Sequence, residues 1–331
     1  MAVNLKGRSF LTLQDFTPEE IRYLLDLGHD LKRKRRCGIH TPTLKGKHIV
    51  LLFEKTSTRT RCSFEVAATQ EGAHVTYLDA GSSQMGKKES LEDSAKVLGR
   101  FFDGIEYRGY EQSVVEDLAK WSGVPVWNGL TDADHPTQIL ADMMTIEEHC
   151  KKPLREVKVA FPGDVRNNMC YAWMIGAAKM GMRFTAIGPE KLCREVDPAI
   201  RDAAFAEARK NGGLIEISDN LDDVKDADVI YGDIWASMGE EDKMAERAEL
   251  LSPYRVDEEV LRKTGNSDVL YLHCLPSFHD FETKMAKEWR EKGIDIREVT
   301  DEVFRGKRSV VFDEAENRMH SIKAVLVATM A

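Results

Sequence analysis

Short apolar runs alternate with helical segments along most of this chain. The runs at 48–53, 157–161 and 183–187 predict buried strands, and the amphipathic or capped stretches between such runs predict helices. Because this alternation is typical of parallel sheets covered by helices, it predicts an α/β fold. With 331 residues, the chain is long enough for two domains of this kind.

A break in the pattern suggests where the domains meet. A long amphipathic helix starts at His135-Pro136-Thr137-Gln138 and runs to about Glu148, and Lys151-Lys152-Pro153 follows it. We therefore predict a first domain over residues 1–150 and a second over residues 151–315, each a parallel sheet flanked by helices. A final apolar-faced helix is predicted from about Glu316 to Met330.

Composition narrows the possible partners. The net charge of −9 argues against general nucleic-acid binding, which favours basic surfaces. No apolar run is long enough to span a membrane, and the N-terminus has no apolar core of signal-peptide length. The chain has six cysteines with no C-x-x-C pair and no zinc-like spacing, which predicts reduced thiols in a cytoplasmic protein and no metal.

The segment Ser57-Thr58-Arg59-Thr60-Arg61 stands where a predicted strand turns into a helix. The first turn of a helix has unpaired N–H groups and a positive dipole end, so it binds anions. Hydroxyl groups and the guanidinium forks of Arg59 and Arg61 would add donors that suit phosphate oxygens. The segment predicts a phosphate site, with an N-cap and exposed arginines as the simpler alternative.

Other polar residues also follow predicted strands. In parallel sheets, ligands bind beyond the carboxyl ends of the strands. Taken singly, these residues could be turn, cap or packing residues, but turn chemistry alone does not select Arg, His and Cys. Their shared position predicts a site formed by Arg108, Asp164, Asn168, Asp233 and His273-Cys274-Leu275-Pro276.

These segments resemble those of the ornithine carbamoyltransferases, within the aspartate/ornithine carbamoyltransferase family. The resemblance runs over nearly the whole chain, and its motifs occur in family order. Two of them point to ornithine in particular, Ser237-Met238-Gly239 and His273-Cys274-Leu275-Pro276. The others are Ser57-Thr58-Arg59-Thr60-Arg61, His135-Pro136-Thr137-Gln138, Asp233-Ile234-Trp235-Ala236 and Asn317-Arg318-Met319-His320.

The resemblance implies a reversible reaction without a cofactor. Carbamoyl phosphate and L-ornithine would give L-citrulline and phosphate, in arginine synthesis or in the arginine deiminase pathway. The first domain would bind carbamoyl phosphate, and the second would bind ornithine. The helix at about 316–331 would pack back on the first domain, and the active site would lie in the cleft between the domains. The N-terminal region favours the catabolic type.

The resemblance also assigns roles to residues. The family builds trimers, sometimes assembled into dodecamers, and Gln84, with Lys88 as a second candidate, would reach the site of a neighbouring chain. Ornithine would bind Asn168, Asp233, Ser237 and Met238. The Leu275–Pro276 bond is expected to be cis. Carbamoyl phosphate would bind Ser57, Thr58, Arg59, Thr60, Gln84, Arg108, His135, Gln138, Cys274, Leu275 and Arg318.

Four residues are predicted to be catalytic. Arg108 and His135 would stabilise the oxyanion of the tetrahedral transition state. Asp233 and Cys274 would orient the ornithine side-chain amine and ease its loss of a proton. We do not expect Cys274 to be a covalent nucleophile, since a neighbouring histidine in sequence is not a histidine aimed at the thiol.

Three alternatives remain open at this stage. A sister enzyme could use another amine such as putrescine, and it would differ around Asn168 and residues 233–239. A cysteine-dependent hydrolase could be built on Cys274, and a non-enzymatic module could simply bind anions.

Gly232 departs from the usual family pattern, because threonine is usual at this position. The glycine is expected to loosen the following loop.

Overall fold

A computed structural model describes residues 3–79, 81, 85, 88–236 and 241–331. The chain divides into two compact units, of which the first comprises Met1–Met144 and Glu316–Ala331, and the second Thr145–Ala315. Each unit contains one parallel sheet with flanking helices. The predicted fold class of two helix-flanked parallel sheets is confirmed.

The first unit contains a four-stranded sheet in the order β2-β1-β3-β4. Helix α1 begins with a capping box, in which the side chains of Thr17 and Glu20 each accept a hydrogen bond from the other residue's backbone N–H group. The elements are α1 (Pro18–Arg36), β1 (His48–Phe53), α2 (Thr58–Gln70), β2 (His74–Asp79), α3 (Leu91–Phe101), β3 (Gly104–Arg108), α4 (Gln112–Ser122), β4 (Val126–Leu130) and α5 (Pro136–His149).

The second unit contains a five-stranded sheet in the order β7-β6-β5-β8-β9. The final helix begins at Val311 rather than at the predicted Glu316, and Asp313 and Glu314 in its first turn favour this earlier start. The elements are β5 (Lys158–Pro162), α6 (Asn168–Lys179), β6 (Arg183–Ile187), α7 (Glu190–Arg194), α8 (Pro198–Asn211), β7 (Leu214–Ser218), β8 (Val229–Gly232), α9 (Met244–Leu251), α10 (Glu258–Lys263), β9 (Leu270–His273), α11 (Lys284–Glu291) and α12 (Asp301–Phe304). The final helix, α13 (Val311–Met330), belongs to the first unit from Glu316 onward. Among the residues described, no helix combines the length and the apolar character needed to cross a bilayer.

Strand β3 sorts its side chains between the two faces of the first sheet. Ile105 and Tyr107 are buried in an apolar cluster that includes Val115 and Leu118 of α4. Since side chains alternate along a strand, Glu106 and Arg108 share the opposite face. One face of the strand thus belongs to the core, and the other carries two charged side chains.

An aromatic cluster supports the second sheet. The Phe161 ring of β5 stacks on the Tyr231 ring of β8, with centroids 5.9 Å apart. Trp173 of α6 packs against Phe184 of β6 and edge-on against Tyr231. Aromatic pairs of this geometry add to the free energy of simple burial. The cluster therefore holds β5 and β8 side by side and fixes the positions of their carboxyl ends.

Each sheet has a point where the strand order reverses. In the first unit the reversal lies between β1 and β3, and in the second between β5 and β8. Connections leave such neighbouring strands in opposite directions, which opens a crevice at their carboxyl ends where ligands bind. The segments after these four strands are therefore the places to look for a site in each unit.

Candidate active site

A cluster of donors lies at the reversal point of the first unit, and we call it the basic site. It comprises Ser57–Thr60 after β1, Arg108 at the end of β3, His135 and Gln138 at the start of α5, and Arg318 of α13. Arg108, His135, Gln138 and Arg318 are all at most 6% exposed. Cationic side chains this deeply buried need anionic or polar partners, which suits an anionic ligand.

The start of α2 shows why this segment can bind an anion. Ser57 is the N-cap, and its hydroxyl oxygen accepts a hydrogen bond from the Thr60 backbone N–H at 3.2 Å. The first turn of the helix adds N–H groups at its positive dipole end. The predicted turn from a strand into a helix is therefore present after β1, and its use as a phosphate site stays a prediction.

Thr60 joins two guanidinium groups. Its hydroxyl oxygen accepts hydrogen bonds from Nη1 of Arg108 at 3.2 Å and from Nη2 of Arg318 at 3.3 Å. The Thr60 hydroxyl hydrogen therefore points away from both arginines and can be donated to a ligand oxygen. Donors from two separate elements, β3 and α13, thus converge at one buried threonine of α2.

Gln138 is held in one orientation. Its Oε1 atom accepts from Nη1 of Arg318 at 2.6 Å, and its Nε2 atom donates to Oδ1 of Asp142 at 2.7 Å. Because one partner is a donor and the other an acceptor, the side-chain amide cannot be reversed without losing both bonds. Asp142 lies one helical turn beyond Gln138 on α5 and was not among the predicted site residues.

His135 is neutral at this site. Burial and the positive charges of Arg318, Arg108 and Arg59 lower the pKa of its imidazole well below the usual value. A neutral imidazole donates one hydrogen bond without adding a positive charge. His135 is therefore suited to polarise a carbonyl oxygen.

Arg61 does not join the basic site, so its predicted use as a phosphate ligand is wrong. Its guanidinium lies 3.7 Å from the centroid of the Tyr77 ring, and its Nε donates to Glu65 at 2.8 Å. Successive helix residues are about 100° apart, so residues 59 and 61 point about 200° apart around the α2 axis. One arginine of the motif faces the site, and the other faces outward.

Asp134 tethers His135 and carries an unusual pKa. Its Oδ1 atom accepts from the His135 backbone N–H at 2.7 Å, and the Thr12 hydroxyl also bonds it. Burial raises the pKa of this carboxyl from 3.8 to about 7, and the nearby charge of Asp15 acts in the same direction. The folded chain thus binds this proton more tightly than the unfolded chain does.

Asp134→Asn is expected to remove a stability loss that occurs between about pH 4 and pH 7. The stability of the natural chain falls as pH rises through this window. The carboxyl group of the unfolded chain ionises above about pH 4, whereas the buried group of the folded chain stays protonated until about pH 7. Above pH 7 the variant should be the more stable by up to about 4 kcal/mol. Thermal unfolding at fixed protein concentration, in acid and at about pH 8, measures this difference. Parallel curves for the two proteins would contradict the assignment.

A second cluster lies at the reversal point of the second unit, and we call it the acidic site. Its centre is Asp233, just after β8. Oδ1 of Asp233 accepts from the Cys274 thiol at 3.1 Å and from the Ile234 backbone N–H at 2.8 Å. Oδ2 accepts from Nδ2 of Asn167 at 2.7 Å. Burial raises the pKa of Asp233, and the hydrogen bond from Cys274 opposes that rise. The cluster presents a carboxylate held in one orientation.

Asn167 and Asn168 divide two tasks. Asn167 is the N-cap of α6, where its Oδ1 accepts from the Cys170 backbone N–H at 2.8 Å while its amide nitrogen donates to Asp233. Asn168, the predicted ligand residue, is the first residue of α6 and is half-buried. The contact between Asn167 and Asp233 was not predicted, because an asparagine just before a helix is typical of an N-cap.

His273 supports the turn that carries Cys274. Its Nδ1 accepts from the Leu275 backbone N–H at 2.8 Å, so the proton of the neutral ring lies on Nε2, which faces Glu298 at 3.2 Å. Oε1 of Glu298 also accepts from the Ser277 hydroxyl and the Phe278 N–H, both at 2.7 Å. Glu298 was not predicted, because it lies far along the chain and no local pattern marks it.

The same contacts weigh against a cysteine nucleophile. Both ring nitrogens of His273 are engaged with Leu275 and Glu298, and the Cys274 thiol donates to Asp233. A catalytic thiolate needs a base that removes its proton and a positive neighbour that stabilises it.

The backbone after Cys274 has an unusual conformation. The half-buried Leu275 has a left-handed φ of 55°, and the Leu275–Pro276 bond is cis, as predicted.

Gly232 makes room for Tyr271 rather than serving only to loosen a loop. A Cβ atom at Gly232 would lie 2.3 Å from the Tyr271 hydroxyl oxygen on the neighbouring strand. Gly232→Thr is therefore expected to cost about 1–3 kcal/mol of stability through overpacking. Adding Tyr271→Phe to this variant should recover most of the lost stability. Denaturant unfolding of the two single variants and the double variant measures the recovery. Strictly additive losses would contradict the contact.

Some predicted residues cannot be placed in either cluster. Gln84, Ser237 and Met238 lie outside the described residues, and Lys88 is exposed.

In the described part of the chain, His279, Asp280 and Asp301 could hold a metal, since their ligand atoms lie within 4.8 Å of one another. Arg305 already bonds Asp301 at 2.8 Å and Asp280 at 3.4 Å, so these groups form an ion-pair network and we assign them no metal.

Comparison with known proteins identifies the class to which this fold and these clusters belong. Residues 8–148 match the aspartate/ornithine carbamoyltransferase carbamoyl-P binding domain, and residues 155–329 match the Asp/Orn binding domain of the same family. The chain belongs to the aspartate/ornithine carbamoyltransferase family, which confirms the family predicted from the sequence.

Individual relatives are similar over the full length. A catabolic ornithine carbamoyltransferase of Clostridium perfringens (strain 13 / Type A) is 65% identical over 99% of both chains. Ornithine carbamoyltransferase 1, catabolic, of Staphylococcus epidermidis (strain ATCC 12228 / FDA PCI 1200) is 57% identical, again over 99% of both chains. The solved ornithine carbamoyltransferase of Pyrococcus furiosus is 40% identical with a TM-score of 0.90, covering 99% of each chain.

Proposed function

We propose that this chain transfers the carbamoyl group of carbamoyl phosphate to the side-chain amine of L-ornithine, giving L-citrulline and phosphate. The observation that carries the proposal is the chemistry of the two clusters. The basic site offers buried arginines and a helix N-terminus, which suit a phosphate group, and the acidic site offers a carboxylate, which suits an amine. Family membership and full-length relatives at 57–65% identity support it.

The basic site binds and activates carbamoyl phosphate in this scheme. Ser57–Thr60 and Arg318 hold the phosphate, while Gln138 contacts the carbamoyl group. As the amine attacks, the carbonyl oxygen gains negative charge, which Arg108, neutral His135 and the Thr60 hydroxyl stabilise. A preorganised donor of this kind contributes about 2.7–4 kcal/mol to transition-state stabilisation. The predicted roles of Cys274 and Leu275 toward carbamoyl phosphate remain predictions.

The acidic site presents the nucleophile. Ornithine's side-chain amine is mostly protonated near neutral pH, and Asp233 accepts a hydrogen bond from it while Cys274 helps to orient it. After the ammonium group has released one proton to solvent, the amine nitrogen forms a bond to the carbonyl carbon, and the carbon–oxygen bond to phosphate breaks. Phosphate leaves with that electron pair and accepts the second proton that the nitrogen loses, so no protein nucleophile is required. Asn168, Ser237 and Met238 would bind the amino-acid end of ornithine.

The direction of use and the assembly belong to the same proposal. We infer a catabolic role in the arginine deiminase pathway, supported by the catabolic names of two full-length relatives. We also infer a trimer or dodecamer in the cytoplasm, with Gln84 of one chain contributing to the basic site of a neighbour. The assembly, the location and the role of Gln84 are predictions from the sequence.

Product formation with three amines tests the proposal. Carbamoyl phosphate is supplied with ornithine, putrescine or aspartate, and phosphate and the carbamoylated amine are measured together. Turnover with ornithine alone is expected, because Asp233 favours a cationic amine and the residues after it are those of the ornithine type. Turnover with putrescine instead would keep the mechanism and overturn the substrate assignment. Turnover with aspartate would contradict the assigned role of the acidic site.

A further inference from the structure

Glu106 is a buried carboxyl group that the proposed reaction does not use. Its side chain is 0% exposed, and neither carboxyl oxygen has a hydrogen-bond partner among the residues that the structure describes. Leaving a buried polar group unpaired is destabilising, and the destabilisation is larger when the group is charged. A residue that carries such a cost beside a site calls for a functional explanation.

Glu106 lies next to the basic site. It shares a face of β3 with Arg108, two residues further along. A Cβ atom at Gly129 would lie 1.8 Å from Oε1 of Glu106 and 3.2 Å from Cγ2 of Thr60. The carboxyl group therefore packs over Gly129 beside Thr60, the threonine that both Arg108 and Arg318 contact. Glycine at 129 leaves the space that the carboxyl group occupies.

Two positive charges face this carboxyl group, Arg108 from β3 and Arg318 from α13. Its registered neighbours on the adjacent strands, Leu51 and Trp127, are apolar, and α2 contributes the neutral Thr60. Burial raises the pKa of Glu106 well above the usual value, and the two arginines lower it. Ionisation of Glu106 therefore depends on the positive potential of the same groups that would hold a phosphate.

A phosphate group at the basic site would change that potential. Its two negative charges would offset the arginines and leave the ionised Glu106 carboxylate both buried and close to a like charge. We propose that Glu106 takes up one proton from solvent when carbamoyl phosphate binds, so that this substrate binds more weakly as pH rises. The only bond formed is the O–H bond of the carboxyl group, and the buffer supplies the proton. This inference rests on the proposed function.

His135 must be distinguished from Glu106. The imidazole faces Arg318 and Arg108 too, as well as Arg59, so a bound phosphate favours proton uptake there as well. Glu106→Gln keeps the size of the side chain and removes only the ionisable group. The protons that disappear in this variant are therefore those taken up by Glu106, whereas uptake by any other group, His135 or the substrate included, is the same in both proteins.

Calorimetric titration with carbamoyl phosphate, without ornithine, counts these protons. Each titration is run in two buffers of different ionisation enthalpy at several values from about pH 6 to pH 9, so that proton uptake is counted on both sides of neutral pH. The natural chain should take up more protons than Glu106→Gln, with a difference that approaches one. At pH values where the natural chain takes up one more proton than the variant, its Kd should rise by an additional factor of about ten for each pH unit, relative to the variant. Equal proton counts at every pH would overturn the inference.

Infrared difference spectroscopy of the natural chain is an independent readout that needs no variant to fold. With carbon-13-labelled glutamate, binding of carbamoyl phosphate should add a protonated-carboxyl band and remove a carboxylate band, and an unchanged spectrum in a protein that binds would overturn the inference. No heat and no binding of carbamoyl phosphate at any pH would instead count against the proposed function. The two failures are therefore distinguishable.

Discussion

Arg108→Gln is expected to lower kcat/KM for carbamoyl phosphate by about 10²–10³-fold. Arg108 is buried and donates to Thr60 at 3.2 Å, so glutamine removes both a positive charge and a donor from the place where the oxyanion forms. Loss of one such donor costs about 2.7–4 kcal/mol of transition-state stabilisation. Steady-state rates at saturating ornithine, with carbamoyl phosphate varied, give the value.

Arg61→Gln is the matched control for this prediction. It makes the same arginine-to-glutamine change in the first unit, but Arg61 lies against Tyr77 and Glu65 instead of in the basic site. Its kcat/KM should stay close to that of the natural chain, because an exposed ion pair contributes little. Equal losses in the two variants would show that arginines act here through general charge or folding, and would contradict the assigned role of Arg108.

Asp233→Asn is expected to give the second large effect, about 10³-fold on kcat/KM for ornithine. The Asp233 carboxylate accepts from Cys274, Ile234 and Asn167, and the asparagine amide cannot accept at both of its ends. The variant also loses the negative charge that favours a cationic amine. Losing a charge partner and leaving buried groups unpaired costs several kcal/mol.

The pattern of kinetic constants makes this prediction specific. The affinity for carbamoyl phosphate alone should change little, since Asp233 is not part of the basic site. Asp268→Asn, at an exposed acid of the same unit, serves as the control and should behave like the natural chain. If Asp233→Asn weakened the binding of carbamoyl phosphate as much as it lowered kcat/KM for ornithine, the separate roles of the two sites would be contradicted.

Local patterns were enough to find the segments that form the two sites. The end of β1, the cap at Ser57 and the start of α5 are all marked by residues that act within a few positions of one another. Strand alternation could also have found Glu106, because it stands two residues before Arg108 and interrupts an apolar run. The i to i+4 spacing from Gln138 could likewise have found Asp142.

Contacts between distant segments could not be read from the chain. Glu298 bonds His273 and the turn after it, yet no repeat or spacing connects residues so far apart. The outward direction of Arg61 depends on how α2 is rotated on the sheet, which a motif alone does not define. The need for glycine at position 232 could not be predicted either, because it depends on the Tyr271 hydroxyl group of the neighbouring strand.

The central claim is that the basic site uses carbamoyl phosphate to carbamoylate ornithine. The most direct test measures citrulline and phosphate together, from carbamoyl phosphate and ornithine, for the natural chain and Arg59→Ala side by side. The account predicts equal amounts of the two products from the natural chain and a large loss of both in the variant. Phosphate release without citrulline, or full activity in Arg59→Ala, would contradict it.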